Sequence, residues 1–224
     1  MNAPAADAPL TLNQLPLFPL QTVLFPEGVL PLRIFEVRYL DMIRRCHQAG
    51  APFGVVCLTE GGEVRRRDPN APSGRDGFVR EAFFPVGTLA RIDHVEIPQP
   101  GLMLIQCRGT QRFHIERSHR LSHGLWIADV RLDVAEPTVA IPDHLNGVRL
   151  ALQCVAQSLQ QREQRAGSPL PLPHRWDDCG WVANRWAELL PLPRELKHRL
   201  MALDNPLVRL ELVGDLLEKL GVAS

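Results

Sequence analysis

The spacing of apolar positions changes near residue 136. Before it, short apolar runs are interrupted by Gly, Pro and Asn, the pattern of strands and turns. After it, apolar residues recur at helical spacing. In the first part, Gln14 to Leu20 and Thr22 to Phe25 are expected to be extended, because Pro16, Pro19 and Pro26 forbid regular helix. Ile34 to His47 is the one convincing helix there, with Phe35, Tyr39, Met42, Ile43 and Cys46 on one face. Phe53 to Leu58 reads as a buried strand, and Glu60 to Gly77 as a polar, mobile loop carrying Arg65, Arg66 and Arg67. Further strands are expected at Val86 to Ile97, Leu102 to Gly109, Arg112 to Glu116 and Leu125 to Val134. In the last, Trp126, Ala128, Val130, Leu132 and Val134 alternate with Asp129, Arg131 and Asp133, which predicts one buried and one wet face.

Four helical stretches follow. Leu145, Val148, Leu152, Val155 and Leu159 form the first stripe, and Asp178 to Leu190 carries Val182, Trp186 and Leu189. A third runs from Pro193 with Leu196, Leu200 and Leu203 inward. The fourth starts with Asn205 as N-cap and Pro206 at the first helical position, with a stripe of Leu207, Leu210, Leu217 and Leu220. The fold class is α+β: several short strands and one helix, curled into a small barrel, and then a helical bundle. The implied boundaries are a flexible tail over 1–12, the strand-rich part over 13–136 and the helices over 137–224.

Lys plus Arg equals Asp plus Glu at 25 each, so no global field recruits nucleic acid or an anionic membrane. The five cysteines are spread without a C-x-x-C pair, which fits a reduced compartment better than a disulfide framework. The start, MNAPAADAPLTL, lacks the basic and apolar regions of a secretory signal, and no apolar run is long enough to span a bilayer. A cytoplasmic location is the expectation.

Catalytic chemistry finds little foothold. Lys197 in RELKHR and Lys219 in LLEKLG lack the glycines with which a P-loop holds phosphates. Ser158 sits mid-helix rather than on the exposed turn that a Ser-Lys dyad needs. His114, His119 and His123 lie close to one another and near Cys107, but on strand and turn rather than at the spacing of a metal site. No cofactor or metal is expected. Arg108, Arg112, Arg117 and Arg120, together with Arg65 to Arg67, read as solvated rim.

Four segments resemble a known family in the same order. LPLFPLQTVLFPEGVLPLRIFEVRYLDMI, from Leu15, looks like the opening of the Lon protease substrate-binding domain, with Glu27 inserted between Pro26 and Gly28. VGTLARI at Val86 to Ile92, IQCRGTQRFHI at Ile105 to Ile115, and ELLPLPRELKHRLMALDNPLVRLELVGDLL resemble its later segments. Cereblon carries a related domain. The resemblance implies a PUA-like β pseudobarrel with one helix, followed by a C-terminal helical bundle. It also implies binding of polypeptide segments or a partner protein, in a groove between barrel and bundle. Lon proteases continue into an ATPase and a Ser-Lys peptidase, whereas this sequence ends at Ser224, so neither activity is expected. Candidate binding residues are Arg33, Glu36, Tyr39, Arg66, Arg112 and Trp126, with Phe35, Phe83 and Phe84 as further aromatics to inspect. Glu36 lies three residues after Arg33, within pairing reach if the helix begins near Ile34. Two other readings remain open: a nucleic-acid-binding PUA-like module using the arginines, and a hydrolase with an unrecognised site.

Overall fold

The structure is a computed structural model that describes residues 10–64, 78–162 and 170–222. The chain divides into two compact units, Met1–Leu24 with Leu30–Ala135 and Phe25–Val29 with Glu136–Ser224. Together they form a mixed α+β chain with a six-stranded sheet and five α-helices among the described residues.

Unit 1 contains β1 (Thr11–Leu20), β2 (Val29–Ile34), α1 (Val37–Ala49), β3 (Phe53–Glu60), β4 (Ala82–Gln99), β5 (Leu102–Arg120) and β6 (Trp126–Leu132). The sheet order is β2-β5-β4-β3-β1-β6, and β6 also pairs with β5, so five strands close on themselves while β2 is left at an edge. β1 and β3 run parallel, joined through α1; the other pairings of the ring are antiparallel. Thr11 and Leu12, left to the tail by the sequence pattern, pair with Arg131 and Val130.

Two apolar clusters fill this unit because its central strands are buried on both faces. Leu15 and Leu17 of β1 and Val56 of β3 join Leu89, Phe113, Ala128, Val130 and Leu132, so every ring strand contributes to one cluster. Phe18, Leu20, Phe53 and Val55 point the other way, under Tyr39, Met42, Ile43 and Cys46 of α1. That double burial explains the unbroken apolar run of β3. Gly54 and Gly87 make room for the Phe113 ring: a Cβ would stand 2.8 Å from its Cζ at Gly54 and 2.5 Å at Gly87. At Gly87 it would also lie 2.5 Å from the Val55 carbonyl oxygen. Beside it, Thr88 donates its hydroxyl to the Leu24 carbonyl at 2.6 Å. The V-G-T triplet is therefore a packing and anchoring device.

Three expectations for this unit need correction. The first helix begins at Val37, because Ile34 completes β2 and Glu36 is extended at the N-cap; Phe35 lies outside the helix and is 53% exposed instead of facing the core. β5 is one strand where two were expected, since a bulge opposite Thr88 and Ala90 absorbs the irregularity at Gly109 to Arg112 without breaking the ladder. Val134 lies beyond the end of β6 and is exposed.

Unit 2 contains a 3-10 turn (Asp143–Leu145), α2 (Asn146–Arg162), α3 (Cys179–Leu189), α4 (Arg194–Ala202) and α5 (Pro206–Lys219). Asn205 caps α5 as expected, accepting from the amides of Leu207 at 3.0 Å and Val208 at 3.2 Å, with Pro206 in the first turn. The stripe of α5 is buried at Leu210 and Leu217, but Leu220 lies past the helix end and is exposed. α3 is buried from Cys179 to Ala187, more completely than a surface helix with one apolar stripe would be. Several of its polar members find partners inside. Arg185 pairs with Glu188 at 2.8 Å and donates to the Pro26 carbonyl at 2.9 Å, and Trp186 donates to the Val148 carbonyl. Arg209 of α5 forks onto both Glu136 oxygens, at 3.0 and 2.7 Å, and also reaches Asn184 and the Leu203 carbonyl. The inserted Glu27 takes a left-handed φ of 61° in a turn closed by the Gly28 amide on the Phe25 carbonyl, and it pairs with Arg175 at 2.6 Å.

Candidate functional site

The start of α1 is organised by Arg38, a residue whose type at this position looks like a surface helix charge. Its guanidinium is buried and spends its donors on three elements: Glu36 at 3.2 Å, the Gly124 carbonyl before β6 at 2.7 Å, and Glu81 before β4 at 3.5 Å. Glu81, also buried, accepts from the Trp126 indole at 2.7 Å. Trp126 in turn meets the Phe83 ring edge-on at 5.2 Å. Each charged group in this cluster thus has a partner, which is the condition for keeping an arginine and a carboxylate in a buried place. The cluster fixes the corner at which the chain leaves β2 and enters α1.

A hollow of about 330 Å³ opens at that corner, lined by Phe18, Leu20, Pro31 to Glu36, Tyr39, Glu63 and Val64. Its apolar floor includes Tyr39 stacked on Phe18, with centroids 4.1 Å apart. Burial pushes the Tyr39 phenol far above its usual range, with Arg38 pulling the other way, so this group stays neutral. Glu63 holds one side by accepting from the Gln21 amide at 2.7 Å. A second hollow of about 380 Å³ is lined by Arg33, Phe35 and the turn from Gln99 to Leu102. Arg33 and Phe35 border both, so the exposed phenylalanine stands on the ridge between two concavities. Among the described residues β2, which carries Arg33, has a strand on one side only.

Of the candidates read from the sequence, Arg33, Glu36 and Tyr39 come together at this corner. Arg33 does not pair with Glu36: the helix starts too late for that geometry, and Glu36 turns to Arg38 instead. Trp126 belongs to the neighbouring polar cluster and does not line the hollow. Arg112 is not part of a solvated rim. It is buried and paired with Asp133 at 3.3 Å, because its strand position faces inward opposite Thr88. Arg108 and Arg117 pair with Asp93 and Asp129, both at 3.0 Å. Arg66, with Arg65 and Arg67, lies outside the described residues, as does most of the Glu60 to Gly77 loop. Glu81 and the Gly124 carbonyl were missed, since nothing local in the sequence pairs them with Arg38.

Among the described residues no cluster of three His, Cys, Asp or Glu side chains could hold a metal ion. Burial pushes the thiols of Cys46, Cys107 and Cys179 up, the last to about 11, the opposite of what a thiolate nucleophile needs. No helix among the described residues is long and apolar enough to cross a membrane.

Comparison with known proteins places this geometry in context. Residues 14–219 match the family model described as ATP-dependent protease La (LON) substrate-binding domain. A Lon N-terminal domain protein from Xanthomonas campestris is similar in structure, with 28% identity, a TM-score of 0.66, and 90% of this chain and 97% of that one covered. The N-terminal domain of Mycobacterium avium complex Lon protease shares the fold at 16% identity and a TM-score of 0.53, over 90% and 96% of the two chains. A search of curated proteins finds no match.

Proposed function

Since the chain belongs to the ATP-dependent protease La (LON) substrate-binding domain family, we propose that it binds extended apolar stretches of polypeptide at the β2–α1 corner of unit 1. The observation that carries this reading is Phe35, 53% exposed on a ridge between two hollows. At that exposure a bound segment can still bury about half of the side chain, roughly 1 kcal/mol of burial. β2, with a free side, offers backbone groups for strand addition, and the hollows take alternate side chains. Arg33 and Glu36 then set charge preference at the rim.

In this reading the closed sheet is a PUA-like pseudobarrel, the helices of unit 2 are a C-terminal bundle, and the chain works as a non-catalytic cytoplasmic binding or adaptor module. The pairing of Arg108, Arg112 and Arg117 with carboxylates supports polypeptide over nucleic acid. The test is anisotropy or crosslinking with a reduced, permanently unfolded polypeptide as probe. Phe35→Ala should weaken binding roughly tenfold, a loss of about 1.4 kcal/mol, while the melting temperature stays unchanged. Equal binding by parent and variant would overturn the assignment of this corner.

A further inference from the structure

Unit 2 has a hollow of its own, of about 740 Å³, between the first turns of α2 and the outer face of α5. Its volume falls within the roughly 300–1,000 Å³ of ligand-binding pockets. The floor is apolar, formed by Leu145 and Val148 where Gly214 of α5 comes close: a Cβ on Gly214 would lie 3.4 Å from Val148 and 3.7 Å from Leu145. A buried glycine in mid-helix costs about 1 kcal/mol relative to alanine, and here it keeps the floor low. Gly147, on the opposite wall, leaves open space, since a Cβ there meets nothing within 4 Å.

The rim is acidic. Glu211, Asp215 and Glu218 follow one another on α5 at spacings of four and three, so they line the same face. Arginine and lysine are absent from the lining, and none of the three carboxylates is ion-paired among the described residues. Asp215 and Glu218 also lie in the C-terminal part of α5, where the helix dipole disfavours negative charge. The arrangement therefore works against the helix that carries it, through like-charge neighbours and an adverse dipole, offset in the last turn by Lys219, four residues after Asp215.

We propose that this groove docks a basic amphipathic helix of a partner protein, at a site separate from the Phe35 corner. Charge complementarity selects the flanks of the partner: lysines or arginines opposite Glu211, Asp215 and Glu218. The apolar floor selects its central stripe, leucine-like side chains at helical spacing over Leu145, Val148 and Gly214. Among the described residues the walls are α2, with the 3-10 turn before it, and α5, and no strand edge borders the groove, so a third helix is the element that packs there.

The probe is a synthetic peptide of about 18 residues with a leucine stripe and arginine flanks, long enough to form a helix on binding, followed by anisotropy with the full chain. Two controls accompany it: the same peptide with glutamate in place of arginine, and one of identical composition scrambled to abolish the stripe. The arginine peptide should bind and weaken with salt, and both controls should bind at least roughly tenfold more weakly. Glu211→Lys with Asp215→Lys and Glu218→Lys should invert the preference between the charged peptides. Gly147→Trp should obstruct the groove without lowering the melting temperature, and Phe35→Ala should bind the peptide as the parent does. Equal affinity for the scrambled peptide, full affinity in Gly147→Trp, or loss of binding in Phe35→Ala would each overturn the proposal.

Discussion

The two units solve the same problem, an interior with arginines in it, in opposite ways. In unit 1 the interior proper is apolar, and the buried arginines sit at its margins: Arg38 ties the start of α1 to Gly124 and Glu81, and Arg112 ties β5 to Asp133. In unit 2 the arginines are inside. Arg185 and Arg209 are 0% exposed and are among the largest fully buried side chains of the chain. Each is held by a carboxylate that is itself only partly exposed and by main-chain carbonyls. The sheet can be filled by shape alone because β-strands present alternate residues to two faces. α3 is surrounded on all sides, and the polar groups it brings inside need partners, which the guanidinium forks provide.

This contrast predicts a ranking of substitutions. The largest effect should come from Arg209→Met, which leaves Glu136, the Asn184 side-chain oxygen and the Leu203 carbonyl without their donor. Breaking a buried pair from one side costs about 3–5 kcal/mol, read as a large drop in chemical-denaturation midpoint and in hydrogen-exchange protection of α3 and α5. Adding Glu136→Gln should restore part of it. If Arg209→Met melts like the parent, the polar interior of unit 2 does not hold it together and the contrast collapses. Gly87→Ala tests the apolar side. The added methyl must displace the Phe113 ring and cannot displace the Val55 carbonyl, so a loss at the upper end of the ~1–3 kcal/mol range for overpacking is expected. Co-introducing Phe113→Leu should relieve it; no relief would mean that the backbone contact dominates. The smallest effect belongs to Glu36→Ala. Its partner Arg38 keeps Glu81 and the Gly124 carbonyl, so about 1 kcal/mol or less is expected. A larger shift of the melting curve would make Glu36, not Glu81, the anchor of α1.

The strands and helices were legible in the sequence wherever period and punctuation agreed. The alternation of β6, the apolar run of β3 and the Asn205–Pro206 start of α5 each carry a local signal that tertiary packing did not override. The family was legible for a related reason: its motifs are steric devices, such as Gly87 beneath Phe113, that leave fixed letters in order. What failed was the facing of single residues at element boundaries. Phe35 reads as core because it extends the stripe of α1 backwards, yet the helix starts two residues later and that phase does not apply. Arg112 reads as rim because it follows a glycine and sits among polar neighbours, but strand register turns it inward. Glu81 and Gly124 could not be matched to Arg38 because 43 and 86 residues separate them from it. The corner was therefore found through three of its residues, Arg33, Glu36 and Tyr39, while the cluster that supports it was not.

The closure of the sheet bears on how the chain comes to be folded. The β4–β5 and β5–β6 ladders join neighbours in sequence and can form as soon as each hairpin exists. The β1–β6 seam is different: it joins Thr11 to Arg131 and Gln14 to Asp129, a separation of 115 residues in the latter case. During synthesis β1 emerges first, and the edge of it that pairs with β6 must wait until β6 has been made. Topology of this kind slows folding, because the entropy of closing so long a loop is spent before the contact repays it. The interval in which the ring stands open is when this chain itself resembles an unfolded polypeptide with exposed apolar strands.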